Sequence, residues 1–74
     1  MPHLTISPTD NSPVSQELRK AQLAVLNGFD VGKEIESIRL PVEGKGQISF
    51  ASRKTAHLIR ERVRRLSGGM LEAR

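Results

Sequence analysis

The apolar side chains of this chain recur with two different periods, and the change of period limits the folds that it can adopt. Spacings of three or four residues, typical of an amphipathic helix, run through residues 15–27 and 52–67. Between these segments, apolar and polar residues alternate over residues 34–42 and 47–50, as in half-buried strands. The stretch Glu43-Gly44-Lys45-Gly46 separates the two alternating runs, so we predict a β-hairpin between two helices.

Residues suited to helix starts and stops stand at the ends of both helical segments. Either Ser12-Pro13, or Ser15 with an acidic residue in the following turn, can begin the first helix, and Gly28 can end it. Ser52 is a suitable N-cap for the second helix, and Gly68-Gly69 can end that one. The predicted apolar stripes are Val14, Leu18, Ala21 and Val25 in the first helix, and Ala56, Ile59, Val63 and Leu66 in the second.

The predicted fold class is α+β. A two-stranded hairpin is marginally stable in water and needs other elements over its apolar face. With 74 residues available, we predict a helix–β-hairpin–helix domain over residues 15–67, in which two antiparallel helices pack on the hairpin.

The two ends of the chain are predicted to lie outside this domain. Residues 1–14 contain three prolines and no sustained period, so we predict an extended or disordered N-terminal arm. Leu4 and Ile6 alternate within it and would allow the arm to add as a strand to a neighbouring subunit. Residues 68–74 are predicted to be a short flexible tail.

Several kinds of site are excluded by what the sequence lacks. The chain has no cysteine, which excludes disulfides and cysteine-rich zinc sites, and its only histidines are His3 and His57. No phosphate-binding glycine motif, zinc-protease motif or catalytic triad stands out. We therefore expect no catalytic residue, no cofactor, no metal and no enzymatic activity. No apolar run approaches the length of a membrane span, and no signal peptide is recognisable, so we expect a cytoplasmic protein without membrane partners.

Positive charge is concentrated in the second helical segment. Residues 52–67 carry six basic side chains against Glu61 alone, a local net charge of +5, whereas the whole chain carries +4. Such a segment favours phosphate or acidic protein surfaces, although a solvated helix face explains it equally well. The basic row that we expect to face a partner or DNA is Arg53, Arg60, Arg64 and Arg65.

Two leucines lie away from the apolar stripes, one on each helix. Leu23 falls near the polar side of the first helix and Leu58 falls off the centre of the second stripe. Single exposed leucines are common, but one on each helix of so small a protein modestly favours a subunit interface. With Leu4 and Ile6 of the arm, they are the predicted interface residues.

The pattern of apolar positions and turn glycines resembles the W-type head-to-tail joining proteins of lambda-like tailed phages. Gly32-Lys33-Glu34-Ile35-Glu36-Ser37-Ile38 is similar to that family's Gly-Lys-x-apolar-x-x-apolar start of its first strand. Ile48-x-Phe50 is similar to its apolar-x-Phe second strand. The helical positions that also match are Leu18, Ala21, Val25, Leu58, Val63 and Leu66.

This resemblance spans residues 15–67 and implies a structural virion protein. Such a protein forms a ring between portal and tail, so the implied partners are portal and tail proteins and copies of itself. The implied location is the head–tail junction of the virion, reached after assembly in the host cytoplasm. The arginine row would then meet acidic surfaces of the portal or a neighbour, or lie close to DNA. This chain departs from the family in its longer N-terminal arm, extra residues 27–31 and shorter tail.

Two other functions fit the same sequence. The arginines of the second helix suit a small nucleic-acid-binding module, although the chain has only two aromatic residues for stacking on bases. Its size and its lack of catalytic groups also allow a phage-encoded inhibitor of a host protein, which no particular residue supports.

Overall fold

The computed structural model describes residues 2–10, 15–41 and 45–74, and it contains two helices and four strands there. The order along the chain is β1 (His3–Pro8), α1 (Gln16–Asn27), β2 (Ser37–Arg39), β3 (Gly46–Ser49), α2 (Ala56–Leu66) and β4 (Leu71–Ala73). A single 3-10 turn, Arg53–Thr55, leads into α2. The strands form one antiparallel sheet in the order β2-β3-β1-β4.

The α+β class is confirmed, but the arrangement of two helices on a two-stranded hairpin is wrong. β2 does pair antiparallel with β3, with Ile38 opposite Ile48. β1 then pairs with the other edge of β3, and β4 pairs with β1. The connectivity is that of a split β-α-β unit, in which β3 lies between two strands joined through α1. Of the predicted hairpin turn, Glu43 and Gly44 lie outside the described residues, as does Val42.

Residues 3–8 of the predicted N-terminal arm instead form a central strand of the sheet. Leu4 and Ile6 are 4% and 0% exposed and belong to the chain's own core. They are therefore not available as the subunit-interface residues predicted from their alternation. The prolines do not prevent this strand, because Pro2 precedes it and Pro8 is its last residue. Pro13 lies outside the described residues.

The predicted flexible tail also belongs to the sheet. Gly68 and Gly69 have φ values of 64° and 85°, which reverse the chain after α2. The N–H of Gly69 donates to the carbonyl of Arg64 at 2.8 Å and that of Gly68 donates to the carbonyl of Arg65 at 3.2 Å, a Schellman arrangement. The reversal brings Leu71, which is 0% exposed, into the core as part of an edge strand.

The two helices follow the sequence prediction closely. Ser15 caps α1 by accepting a hydrogen bond from the N–H of Leu18 at 3.2 Å, and Ser52 caps the 3-10 turn before α2. The buried apolar side chains of the helices lie on the predicted stripes, and Val14 is outside the described residues. These stripe residues are Leu18, Ala21 and Val25 in α1, and Ile59 and Val63 in α2.

One buried side chain on α1 is polar. Gln22 is 2% exposed, and neither its amide nitrogen nor its amide oxygen has a hydrogen-bond partner among the described residues. Burying an unpaired amide reduces the stability gained from packing.

Gly46 allows β3 to approach the end of β2. It is buried, pairs with Ile6 and faces the core. A Cβ atom at this position would overlap the carbonyl oxygen of Arg39 and would lie 2.8 Å from the Cα of Leu40. Both obstacles are backbone atoms, so the sheet itself would have to move.

We expect Gly46→Ala to lower the free energy of unfolding by about 1–3 kcal/mol, because the added methyl group overpacks the backbone. Chemical denaturation followed by circular dichroism measures the loss. The neighbouring exposed residue is the matched control, and Gln47→Ala is expected to change stability by no more than about 0.5 kcal/mol. Equal stability of the two variants would contradict the close approach.

We expect Leu71→Ala to lower the free energy of unfolding by about 2–5 kcal/mol, because it removes a fully buried side chain from β4. Leu23→Ala, which truncates an exposed leucine, should change stability by no more than about 0.5 kcal/mol. The thermal unfolding midpoints of both variants test this difference. A flexible tail would instead make the two substitutions equally mild.

Candidate binding cleft along helix α2

Helix α2 buries one stripe and presents two different flanks to solvent. Arg60 and Arg64 follow each other by one turn on the first flank, and Arg53 of the preceding 3-10 turn continues that line. Each residue of a helix is rotated by about 100° from the one before it, so Arg65 points well away from Arg64. Arg65 lies on the second flank, together with Leu58.

An open cleft runs along the first flank, between α2 and the sheet edge formed by β1 and β4. It consists of two adjoining hollows of about 550 Å³ and 410 Å³ that share His57 and Arg60. We call their union the arginine cleft. The basic residues that line it are His3, Arg53, His57, Arg60, Arg64 and Arg74.

The structure therefore places three of the four predicted basic-row residues in one cleft. Arg53 lines the first hollow, Arg64 lines the second and Arg60 lines both. Arg65 lines neither, because the helical rotation carries it to the opposite flank.

Arg74 is a cleft residue that the sequence did not reveal. The N–H of Thr5 donates to the carbonyl of Arg74 at 2.8 Å, and the N–H of Arg74 donates to the carbonyl of Thr5 at 2.9 Å. This pairing holds the residue beside β1 and at the cleft. No sequence signal marked it, because residues 68–74 carry only three apolar side chains and two glycines.

The charges within the cleft are unbalanced. Glu72 lies 3.1 Å from Arg74, and Glu61 lies 3.3 Å from His57, an ion pair only when the imidazole is protonated. In contrast, none of the carboxylates in the described part of the chain lies within 4.0 Å of Arg53, Arg60 or Arg64. Guanidinium groups bind carboxylates and phosphates in bidentate geometry, so the cleft suits an anionic partner.

The second flank of α2 is mixed apolar and charged. Leu58 is 62% exposed and lines a smaller hollow of about 280 Å³ with Phe29 and Arg62. The guanidinium carbon of Arg62 lies 5.3 Å from the centre of the Phe29 ring, and Arg62 also donates to Glu34. These contacts connect α2 to the loop before β2.

Both leucines predicted to leave the core are exposed in the structure, with Leu23 at 55% on α1. Their part in a subunit interface stays a prediction.

The carboxylate of Glu34 is stabilised in its charged form. The hydrogen bond from Arg62 lowers the pKa of Glu34 below its ordinary value, and the N–H of Asp30, which donates at 3.0 Å, lowers this pKa further. Because this pKa is lower in the folded chain than in the unfolded one, the pair supports the fold at neutral pH. That support is lost as the pH falls through the lowered pKa.

We expect Arg62→Met to raise the pKa of Glu34 towards its ordinary value, because the substitution removes the largest cause of the shift. An NMR titration that follows the carboxyl carbon of Glu34 measures this pKa. Arg65→Met removes the same charge from the same helix flank and should leave the Glu34 titration unchanged. A Glu34 midpoint that is the same in wild type and Arg62→Met would show that the ion pair does not form.

Neither a metal site nor a membrane-spanning helix is present in the described part of the chain. Residues 2–10, 15–41 and 45–74 contain no group of three histidine or acidic side chains placed to hold a metal ion. Within the same ranges, neither helix has the length and apolar content needed to cross a bilayer.

Comparisons of this chain with models of protein families, with curated proteins and with solved structures find no match. The resemblance to phage head–tail joining proteins therefore rests on the sequence pattern alone. The four-stranded sheet also differs from the helix–hairpin–helix fold that the resemblance implies.

Proposed function

We propose that this chain is a non-enzymatic assembly protein that binds an acidic partner protein in the arginine cleft. The observation that carries the proposal is the line of Arg53, Arg60 and Arg64 along one open cleft without a carboxylate partner in the described chain. Exposed ion pairs contribute little to the stability of a fold. The three arginines therefore add little to the stability of this chain, and binding to an acidic partner accounts better for their grouping.

The proposed setting is the head–tail junction of a tailed-phage virion. In that setting the acidic surface belongs to the portal, to a tail protein or to the next copy in a ring. A ring requires head-to-tail contacts between two different faces of the subunit. The arginine cleft and the Leu58 flank lie on opposite sides of α2 and supply two such faces. The cleft supports the binding chemistry, whereas the setting rests on the sequence resemblance.

A second candidate function is binding to the phosphate backbone of nucleic acid, which the same arginines favour. Single-stranded nucleic acid binds by stacking its bases on exposed aromatic side chains, and the sheet face turned away from the helices is where such side chains would lie. Its side chains are polar, and the two phenylalanines of the chain, Phe29 and Phe50, are only 7% and 2% exposed. The structure thus offers no aromatic surface on which unpaired bases would stack. Contact with DNA would be limited to phosphates, so the acidic protein partner is the stronger candidate.

The test compares two polyanions of different chemistry on one pair of variants. We expect Arg60→Glu combined with Arg64→Glu to weaken binding of polyglutamate by at least about tenfold, or about 1.4 kcal/mol. The matched control is Arg19→Glu combined with Lys20→Glu, which makes the same charge change at exposed positions of α1. Circular dichroism should show wild-type folding for both.

The probes are polyglutamate and a duplex DNA, titrated at physiological salt by fluorescence anisotropy. Preference for polyglutamate, lost in the cleft variant and kept in the control, supports the proposal. Tighter binding of the duplex, with a steep dependence on salt concentration, would replace it with the nucleic-acid function. An equal loss of polyglutamate affinity in both double variants would show that binding depends on net charge and not on the arginine cleft.

A further inference from the structure

The loop between α1 and β2 is the most acidic part of this basic chain. Residues 30–36 carry a net charge of −2, whereas the whole chain carries +4. They hold three of the eight acidic residues of the chain, and all three are exposed in the structure. These residues are Asp30, Glu34 and Glu36. We call residues 30–36 the acidic loop.

Hydrogen bonds hold the acidic loop in one conformation. The N–H of Glu34 donates to the carbonyl of Asp30 at 2.9 Å. The N–H of Gly32 donates to the carbonyl of Ile35 at 2.8 Å. The carboxylate of Glu34 accepts from the N–H of Asp30 and from Arg62 of α2. A loop that is ordered in advance loses little conformational freedom when it binds, and this favours affinity.

Two carboxylates of the acidic loop are available to a partner. None of the basic groups in the described part of the chain lies within 4.0 Å of Glu36. Asp30 lies 4.0 Å from Lys33, and both side chains are well exposed, so this ion pair is weak. Val31 stands beside them with 52% of its surface exposed. The loop therefore presents two carboxylates and one apolar side chain to solvent.

The acidic loop cannot reach the arginine cleft of its own chain. Arg62 connects the loop to α2 and lines the smaller hollow beside Leu58. Arg60 and Arg64, which line the arginine cleft, are each two residues away from Arg62. Two residues correspond to a rotation of about 200° around a helix, so the cleft lies on nearly the opposite side of α2. An interaction between the loop and the cleft must therefore join two copies of the chain.

We propose that the acidic loop of one copy binds in the arginine cleft of a second copy. This inference rests on the proposed function and identifies the acidic partner as another molecule of this chain. The carboxylates of Asp30 and Glu36 pair with the guanidinium groups of Arg60 and Arg64, and Val31 contacts the apolar part of the cleft lining. Charge complementarity carries the inference, because the densest group of carboxylates and the line of cleft arginines lie on opposite sides of one small domain.

The contact joins two different faces of the subunit. Each bound pair therefore keeps one free acidic loop and one free arginine cleft, and further copies add head to tail. At physiological ionic strength, charges more than about 8 Å apart are largely screened, so the nearby groups outweigh the repulsion between two basic chains. We expect the average mass measured by sedimentation equilibrium at this ionic strength to rise as the protein concentration is raised to about 1 mM.

Two neutralising variants separate the two halves of the contact. The loop variant, Asp30→Asn with Glu36→Gln, removes both available carboxylates and keeps Glu34 in place. The neutral cleft variant, Arg60→Gln with Arg64→Gln, removes the opposing charges. Each variant alone should self-associate at least about tenfold more weakly than wild type. An equimolar mixture should form a complex of one copy of each, because each variant supplies the half that the other lacks.

Net charge alone does not predict these results. The matched control for the loop variant is Asp10→Asn with Glu17→Gln, which also raises the net charge from +4 to +6 at exposed positions. This control should self-associate like wild type. The neutral cleft variant lowers the net charge to +2 and so reduces the general repulsion between copies, yet it should associate more weakly. Equal association of the loop variant and its control would overturn the inference.

NMR on mixtures with one isotope-labelled variant locates the contact. When the loop variant is labelled, the unlabelled neutral cleft variant should shift amide signals of residues 53–64. When the labels are reversed, the shifted signals should be those of residues 30–36. Shifts confined to other parts of the chain would contradict the proposed contact.

Polyglutamate binding distinguishes failure of this inference from failure of the proposed function. The loop variant keeps the arginine cleft and should bind polyglutamate with wild-type affinity. A wild-type chain that stays monomeric up to about 1 mM would overturn the contact between copies. If Arg60→Glu with Arg64→Glu still abolished polyglutamate binding, the proposed function would survive that result with a different acidic protein as partner. If that variant bound polyglutamate normally, the proposed function would fail as well.

Discussion

The rest of the structure depends on the position of β1 between β3 and β4. At the middle of this strand, Ile6 is fully buried and stands opposite Gly46 on one side and Ala73 on the other. A large side chain is thus flanked by two small ones, which leaves room for the helices to pack over it. A hairpin of β2 and β3 alone would leave the apolar stripes of both helices partly uncovered, and two more strands complete the layer beneath them.

The same arrangement creates the arginine cleft. β1 and β4 form the edge of the sheet that lies next to α2, and residues of both strands line the two hollows. The inner stripe of α2 packs on the sheet, and this packing turns Arg60 and Arg64 towards that edge. The guanidinium groups of α2 therefore lie together in one open groove beside the sheet.

The helices could be predicted because their signals are local. Ser15 and Gly28 mark the ends of α1, and the apolar spacing marks its buried side. The strands β1 and β4 could not be predicted in this way, since each contributes only two core side chains to the pattern. Their pairing joins residues about 40 to 70 positions apart, and no short-range pattern encodes such a contact.

The candidate site likewise combines features that the local sequence predicts with features that only the tertiary structure produces. The sequence by itself determined the two amphipathic helices, their caps and the alignment of Arg53, Arg60 and Arg64, because these follow from helical geometry within one segment. Only the tertiary structure decided that Leu4 and Ile6 belong to the core and that Arg74 reaches the cleft. Those outcomes depend on which strands become neighbours, and that is settled by the burial of a shared apolar face rather than by local propensity.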